Sequence, residues 1–417
     1  MTPSARLQAA IEILEALERT GKPADRFLRD WFRTRRYAGS KDRAAIGERV
    51  FDVFRHRATF AWRMSSEAPR ALVIGSLAAE GLDRDVIEML FDGSKYAPAA
   101  LDETERTPLI HPREDAPPLW VEGEFPAFLE AELTRSFGNH LLAEMRAMVE
   151  RAPIDLRANS LKSSRDEVLA ELRGEGFVAE TMSFAPHGIR IRQHEGASAL
   201  SRTRAFLEGR FEFQDEAAQI ASLLAAAKPD ERILDLAAGA GGKALALAAE
   251  MHNRGTIIAR DADPIRLAQL APRAARAGVT IIREAGEGEF DAVFVDAPCS
   301  GSGAWRRQPE QKWRLTPARL TELQAIQDSL LDEAARHAPA RIVYATCSLL
   351  ACENEDRISA FLARHPTYAI RPAALIWHEV TATPPPPGMD EFFRATPLTT
   401  GTDGFFVAVL TRSRSNP

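Results

Sequence analysis

From residue 231 onward the chain alternates short apolar runs with Ala/Leu-rich stretches, and this rhythm constrains the fold more than any other feature. The runs read ERILDL, GTIIAR, VTIIR, FDAVFVD and ARIVYATC, with YAIRP and FFVAVLTR closing the series. Apolar strands separated by amphipathic helices predict a mostly parallel, doubly wound sheet, because both faces of each strand must be covered. In such a sheet, ligands bind outside the carboxyl ends of the strands.

The upstream half has a different texture. Leu7, Ala10, Ile11, Leu14 and Leu17 recur at helical spacing, and Val50, Phe51, Val53, Phe54, Ala58 and Trp62 form another apolar stripe. Residues 1–100 therefore read as helices. The acidic, proline-containing run DETERTPLIHPREDAPPLW, around residues 102–120, reads as a linker or irregular wrap, and a further helix is expected over roughly 125–150. IDLRANSL alternates like a strand, and Ser164 with Glu167 forms a capping-box pattern opening a helix that ends near Gly174. The proposed domains are 1–130, 131–210 and 211–417.

Composition narrows the function classes. No run reaches the ~20 apolar residues that cross a bilayer, and the charged, amphipathic N-terminus has no signal-peptide pattern. Cys299, Cys347 and Cys352 are the only cysteines. So few thiols argue against a disulfide framework and suit a reducing, cytoplasmic setting, and no Cys/His spacing fits a zinc site. Net charge is −6, yet residues 1–65 carry 14 Lys/Arg against 8 Asp/Glu. The positive cluster includes Arg26, Arg29, Arg33, Arg35, Arg36, Lys41 and Arg43. It fits either a phosphate-contacting surface or a solvated helical face.

Three features carry chemistry. The first strand opens into Asp235-Leu-Ala-Ala-Gly239-Ala-Gly241-Gly242-Lys243, a turn whose glycines let backbone approach a ligand. Its spacing is not that of a phosphate P-loop. The second strand ends at Asp261, placed to accept hydrogen bonds from the ribose of NAD or S-adenosylmethionine, whereas Asp263 before Pro264 reads as a helix cap. The fourth strand runs into Asp296-Ala-Pro298-Cys299-Ser-Gly301, and the fifth into Tyr344-Ala-Thr346-Cys347-Ser348. Two of three cysteines thus fall at the carboxyl ends of adjacent strands, on the edge that bears the glycine turn. A lone cysteine is usually an inert core residue, as Cys352 reads here. A pair in these positions suits a thiolate nucleophile.

DAPCSGSG and YATCSL resemble the motifs of the RsmB/Sun-type (Fmu) family of RNA cytosine-C5 methyltransferases. WRRQPEQKWRL, CENEDRISAFLARHP, TDGFFVAVL, RANSLKSSRDEVLAELRGEGF and FEFQDEAAQIASLLAA are similar to it as well. The resemblance covers about 153–411. KDRAAIGERVFDVFRHR loosely resembles the helical NusB-like RNA-binding domain of some members. The resemblance implies a Rossmann-like class I methyltransferase with a mostly parallel seven-stranded sheet behind a helical NusB-like domain, acting as a monomer on ribosomal RNA, or on transfer RNA. It implies Cys347 as the nucleophile at cytosine C6, Asp296 at the base edge, and Cys299 in proton removal from C5. It implies that Ala237, Ala238, Gly239, Ala240, Gly241, Gly242, Lys243, Asp261, Glu284 and Asp296 face S-adenosylmethionine. Arg157, Asn159, Lys162, Arg306, Arg307 and Lys312 are the expected RNA contacts, the last three forming a basic patch with Arg314.

The sequence departs from the family at three places. Ala240 replaces the proline of the usual CAAPGGKT turn. Glu284 stands near where an aspartate beside the adenine is expected. HAPAR replaces the usual glycine pair before the fifth strand. Two rival readings follow. A DNA cytosine-C5 methyltransferase would use the Pro-Cys after the fourth strand and lack Cys347. A non-catalytic RNA-binding or ribosome-assembly factor would keep the fold without the activity.

Overall fold

The computed structural model describes residues 1–192, 197–284, 286, 288–337 and 339–413. The chain divides into two compact units, Met1–Glu150 with Trp305–Leu315, and Arg151–Ala304 with Thr316–Pro417.

The first unit is helical. Its longer helices are Pro3–Glu18, Ala24–Arg33, Ser40–Arg55 and Pro69–Ala79. Leu7, Ala10, Ile11, Leu14 and Leu17 are all buried, in one core with Ile46, Val50, Val53, Phe54, Leu72, Ile74 and Phe91. Two sequence expectations fail here. The run expected to be a linker or irregular wrap contains a helix, Glu103–Ile110, opened by a capping box between Asp102 and Glu105. The helix expected over 125–150 is split into Glu130–Phe137 and Leu141–Val149, because Gly138 adopts φ +51° and breaks the ladder.

The segment Trp305–Leu315 belongs to this helical unit although it follows the Pro298-Cys299 motif in the chain. Its polar side chains satisfy helix ends, which carry unpaired backbone groups. The Glu310 carboxylate accepts from Ala24 N at 3.0 Å. The Trp313 indole N–H donates to Phe54 O at 2.6 Å. Arg314 donates to Lys22 O at 2.9 Å and Leu17 O at 3.3 Å.

The second unit holds two sheets. In the first, β1 (Ile154–Ala158), β2 (Ala179–Thr181), β3 (Gly188–Ile191) and β4 (Phe211–Phe213) lie in the order β2-β3-β1-β4. All of its pairings are antiparallel. The helix Arg165–Gly174, with the expected Ser164–Glu167 capping box, buries Val168 and Leu172 against Leu156, Ile189 and Phe211.

The larger sheet contains β5 (Arg232–Asp235), β6 (Thr256–Ala259), β7 (Ile282–Arg283), β8 (Ala292–Asp296), β9 (Arg341–Thr346), β10 (Tyr368–Arg371), β11 (Phe393–Ala395) and β12 (Phe405–Arg412). The order is β10-β12-β9-β8-β5-β6-β7, with β11 added on β12. Strands β7, β6, β5, β8 and β9 are parallel, and β10, β11 and β12 are antiparallel. The sheet is Rossmann-like, as the strand pattern predicts, with β11 as an eighth strand too short to show in the sequence. Strand order reverses between β5 and β8, and the crevice at such a switch point is where ligands bind. The glycine turn leaves β5 there, and the two cysteine loops leave β8 and β9.

Candidate active site

Backbone geometry forces glycine at the turn after β5. Gly239 and Gly241 have φ of +55° and +82°. A Cβ on Gly241 would lie 2.0 Å from Leu270 Cδ1, and one on Gly239 would lie 2.7 Å from the Arg266 guanidinium. The turn closes on itself through Gly241 N to Ala238 O at 2.8 Å, and Ala238 N donates to Arg260 O at 2.9 Å. Asp261 holds it from the next strand, accepting from Gly239 N at 2.7 Å and from Asp263 N at 2.7 Å. Asp263 caps the helix after Pro264, accepting from Ile265 N and Arg266 N. Where proline is missing at Ala240, Arg273 donates to the Ala240 carbonyl at 2.6 Å and pairs with Glu212 of β4 at 2.9 Å. An arginine brace thus restrains the turn in place of a ring.

Charge gathers beneath this turn. Asp235, the last residue of β5, is fully buried, and its carboxyl oxygens find no partner in hydrogen-bond geometry. Burial, then the neighbouring Asp296 charge, pushes its pKa up to about 8. Lys243, from the first turn of the helix Gly242–Glu250, donates to Asp296 Oδ2 at 2.6 Å. Burial opposes the Lys243 charge, but Asp296, Cys347 and Asp235 outweigh it and raise its pKa, so the ammonium is kept.

The two cysteines meet. Asp296 of β8 sits opposite Ala345 of β9, and the loops beyond stay tied through Ala297 N to Ala345 O and Gly303 N to Cys347 O, both 2.9 Å. The Cys299 and Cys347 sulfurs lie 3.4 Å apart and are half-buried. The hydrogen bond to Cys347, then burial, then the Cys347 and Glu353 charges push the Cys299 thiol well above its usual range. Cys299 therefore holds its proton. Cys352 is buried, in the short helical turn Ala351–Glu353.

Other expected site residues go elsewhere. Glu284 is exposed just past β7, and its neighbour Ala285 lies outside the described residues. Arg157 is buried, its guanidinium on Gln214 Oε1 at 2.6 Å. Asn159 donates to Gly209 O and Ala277 O at 2.8 and 2.9 Å, and Lys162 donates to Glu208 O and Arg276 O at 2.8 and 2.6 Å. These groups brace the second unit internally rather than presenting free donors to phosphate. The basic patch after Cys299 does not form as expected. Arg306 and Lys312 are buried, and only Arg307 of the three is exposed. Burial lowers Lys312 to about 8 within the helical unit, against the pull of Glu124. In the N-terminal cluster, Arg29 pairs with Asp25, Arg33 with Asp30, and Arg35 lies 3.9 Å over Trp31, while Arg26, Arg36 and Lys41 are exposed.

Sequence reading missed Arg273, Glu353 and Gln327. Their signal is tertiary: Glu353 lies in CENEDRISAFLARHP, but nothing in that run points to the two thiols it reaches.

The profile of the family described as 16S rRNA methyltransferase RsmB/F matches residues 221–411, and that of the RsmF/B-like ferredoxin-like domain matches 125–196. A "Ribosomal RNA small subunit methyltransferase B" from Sodalis glossinidius is 32% identical over 326 residues, covering 75% of this chain and 69% of the relative. A "Probable ribosomal RNA small subunit methyltransferase B" from Bacillus subtilis is 31% identical, covering 69% of this chain. The match spans 66% of that Bacillus protein and 58% of its Synechocystis counterpart, less than two thirds of either. Among solved structures, a methyltransferase homolog protein from Pyrococcus horikoshii aligns with 70% of this chain and 97% of its own, with a TM-score of 0.59 and 25% identity. The crystal structure of PH0851 aligns over 99% of both chains, with a TM-score of 0.75 and 26% identity. Paired thiols at the ends of β8 and β9, the glycine turn beside them and these matches agree: the chain belongs to the RsmB/F family of 16S rRNA methyltransferases.

Proposed function

We propose that this protein methylates C5 of a cytosine in RNA, with small-subunit ribosomal RNA as substrate and S-adenosylmethionine as methyl donor. The observation that carries the reading is the 3.4 Å thiol pair beside the Lys243–Asp296 ion pair. Cytosine C5 is a poor nucleophile, and addition of a thiolate at C6 makes it reactive. Relatives called ribosomal RNA small subunit methyltransferase B support the choice of RNA.

The donor fits the residues present. The turn after β5, with Gly239 and Gly241 in the left-handed region, brings its backbone to the switch-point crevice where ligands bind. Asp261 and Asp296 set two carboxylates against the single ammonium of Lys243, a surplus that suits a cationic ligand. Residues Ala237 to Lys243 would hold it, with Asp261 at the ribose. When bound, S-adenosylmethionine supplies an electrophilic methyl group.

The protein groups then act in order. Lys243 keeps Asp296 oriented. The thiolate adds to C6 while N3 takes a proton from solvent, and Asp296 holds the base edge near N3 and favours that protonation, stabilising the charge as the adduct forms. Cys347 loses its charge on bonding to C6, so the repulsion that kept Cys299 protonated falls. The Cys299 proton can then leave to solvent, and its thiolate takes the C5 proton after transfer. Elimination returns the Cys347 thiolate and frees the product. The target base must be unstacked to reach these loops. Exposed Arg26, Arg36 and Lys41 of the helical unit offer backbone contacts to the RNA.

The test is nucleoside mass spectrometry of small-subunit ribosomal RNA incubated with the protein and S-adenosylmethionine. The reading expects 5-methylcytidine. RNA that gains no methyl group, or gains it at another atom, contradicts it.

A further inference from the structure

Glu353 has no place in the scheme above, yet it lies beneath both reacting loops. Its side chain is fully buried, and a buried carboxylate needs several donors to persist. Oε1 accepts from Ser300 N at 2.8 Å and from Gln327 Nε2 at 3.0 Å. Oε2 accepts from the Ser300 and Ser348 hydroxyls, each at 2.5 Å. Ser300 follows Cys299 and Ser348 follows Cys347. Gln327 also donates to Pro298 O at 2.9 Å, so Cys299 is held on both sides. The next residue extends the grip: Asn354 donates to Ser348 O at 3.0 Å and accepts from the Thr346 hydroxyl at 2.6 Å, which flanks Cys347 as well.

We propose that Glu353 is a positioning residue that clamps the Cys299 and Cys347 loops onto one buried carboxylate and so sets the approach of the two thiols. The clamp rests on the reading of these thiols as the reacting pair, but its test needs neither RNA nor methyl donor. Two loops leaving separate strands have no covalent link; Gly303 N to Cys347 O, Leu349 N to Ser302 Oγ at 2.7 Å and the Ser348 hydroxyl, 3.3 Å from those of Ser300 and Ser302, tie them side by side. A shared carboxylate does so from below. It also places a fixed negative charge near Cys299, which helps hold that thiol protonated. The other groups facing the pair are the Tyr344 hydroxyl, which donates to Glu353 O, and the Lys243–Asp296 pair on the Cys347 side.

Two readouts on the full chain separate positioning from mere stability. Phenylarsine oxide condenses with two adjacent thiols, forming two As–S bonds and releasing one water, so it reports their approach. The pH midpoint of iodoacetamide alkylation at Cys299, read by peptide mass spectrometry, reports the charge. Glu353→Gln should weaken arsenical binding by about tenfold and lower the Cys299 midpoint by about one pH unit, as loss of a like charge does. Ser348→Ala, which removes the tie to Glu353 together with the hydroxyl's bonds to Ser300, Ser302 and Leu350 N and keeps the carboxylate, should weaken arsenical binding while leaving the Cys299 midpoint in place. It keeps the proposal testable if Glu353→Gln does not fold. Unchanged arsenical affinity in Ser348→Ala, or a folded Glu353→Gln with both readouts at wild-type values, overturns the clamp.

Discussion

Replacing Asp235 by asparagine should stabilise the protein, and the gain should grow with pH. Asp235 is fully buried under the glycine turn, and its carboxyl is pushed up to about 8 from 3.8. A raised acid pKa means that the folded state holds a proton the unfolded state has released. Between pH 3.8 and 8 folding must therefore take up that proton, and stability falls by about 1.4 kcal/mol per pH unit. At pH 7 the ceiling on this penalty is roughly 4 kcal/mol. Asparagine keeps the shape of the protonated acid and does not titrate. Urea unfolding of wild type and Asp235→Asn, followed by circular dichroism at pH 6.5, 7.5, 8.5 and 9.5, isolates the effect, because other groups cancel in the difference. The advantage of the variant should rise from 6.5 to 7.5 and level off above about 8. An advantage that is flat with pH, or a variant less stable throughout, refutes the assignment of a neutral buried acid.

Three further outcomes follow from packing and burial. A Cβ on Gly303 would meet the Gly404 carbonyl oxygen at 2.0 Å, a backbone contact that cannot rotate away. Gly303→Ala should cost roughly 2–4 kcal/mol in urea unfolding and displace the Cys299 loop, abolishing methyl transfer. Lys312 is lowered from 10.5 to about 8 by burial, so the unfolded chain binds the extra proton between those values and stability rises with pH there. Relative to Lys312→Met, wild type should gain on the order of 3 kcal/mol from pH 8 to 10.5, read by tryptophan fluorescence of the helical unit. Arg273→Ala removes the brace on the Ala240 carbonyl and should weaken binding of S-adenosylmethionine in calorimetry by about tenfold, with smaller loss in Arg273→Lys.

Much of the architecture was legible because apolar strands and their turns are local signals. Seven of the eight strands of the larger sheet, the Ser164–Glu167 box and the meeting of Cys299 with Cys347 follow from spacing alone. Other features needed the third dimension. DETERTPLI carries its own cap in Asp102 and Glu105, but the prolines around it pointed to a linker. Arg306 and Lys312 look like a surface patch because charge in a sequence says nothing about burial, and the ends of distant helices lie outside any window. The same holds for Lys162 and Asn159, whose partners are carbonyls more than forty residues away. Glu353 is invisible for the opposite reason: it serves cysteines through serines, and no motif records that relation.

The central claim is that Cys347 attacks the base and Cys299 resolves the adduct. The direct measurement is a denaturing gel of radiolabelled substrate RNA incubated with S-adenosylmethionine and wild type, Cys299→Ala or Cys347→Ala. Cys299→Ala should leave a protein–RNA band that survives denaturation, while wild type turns over and Cys347→Ala gives neither band nor methylation. Full methylation by Cys347→Ala, or a trapped band in that variant, would contradict the account.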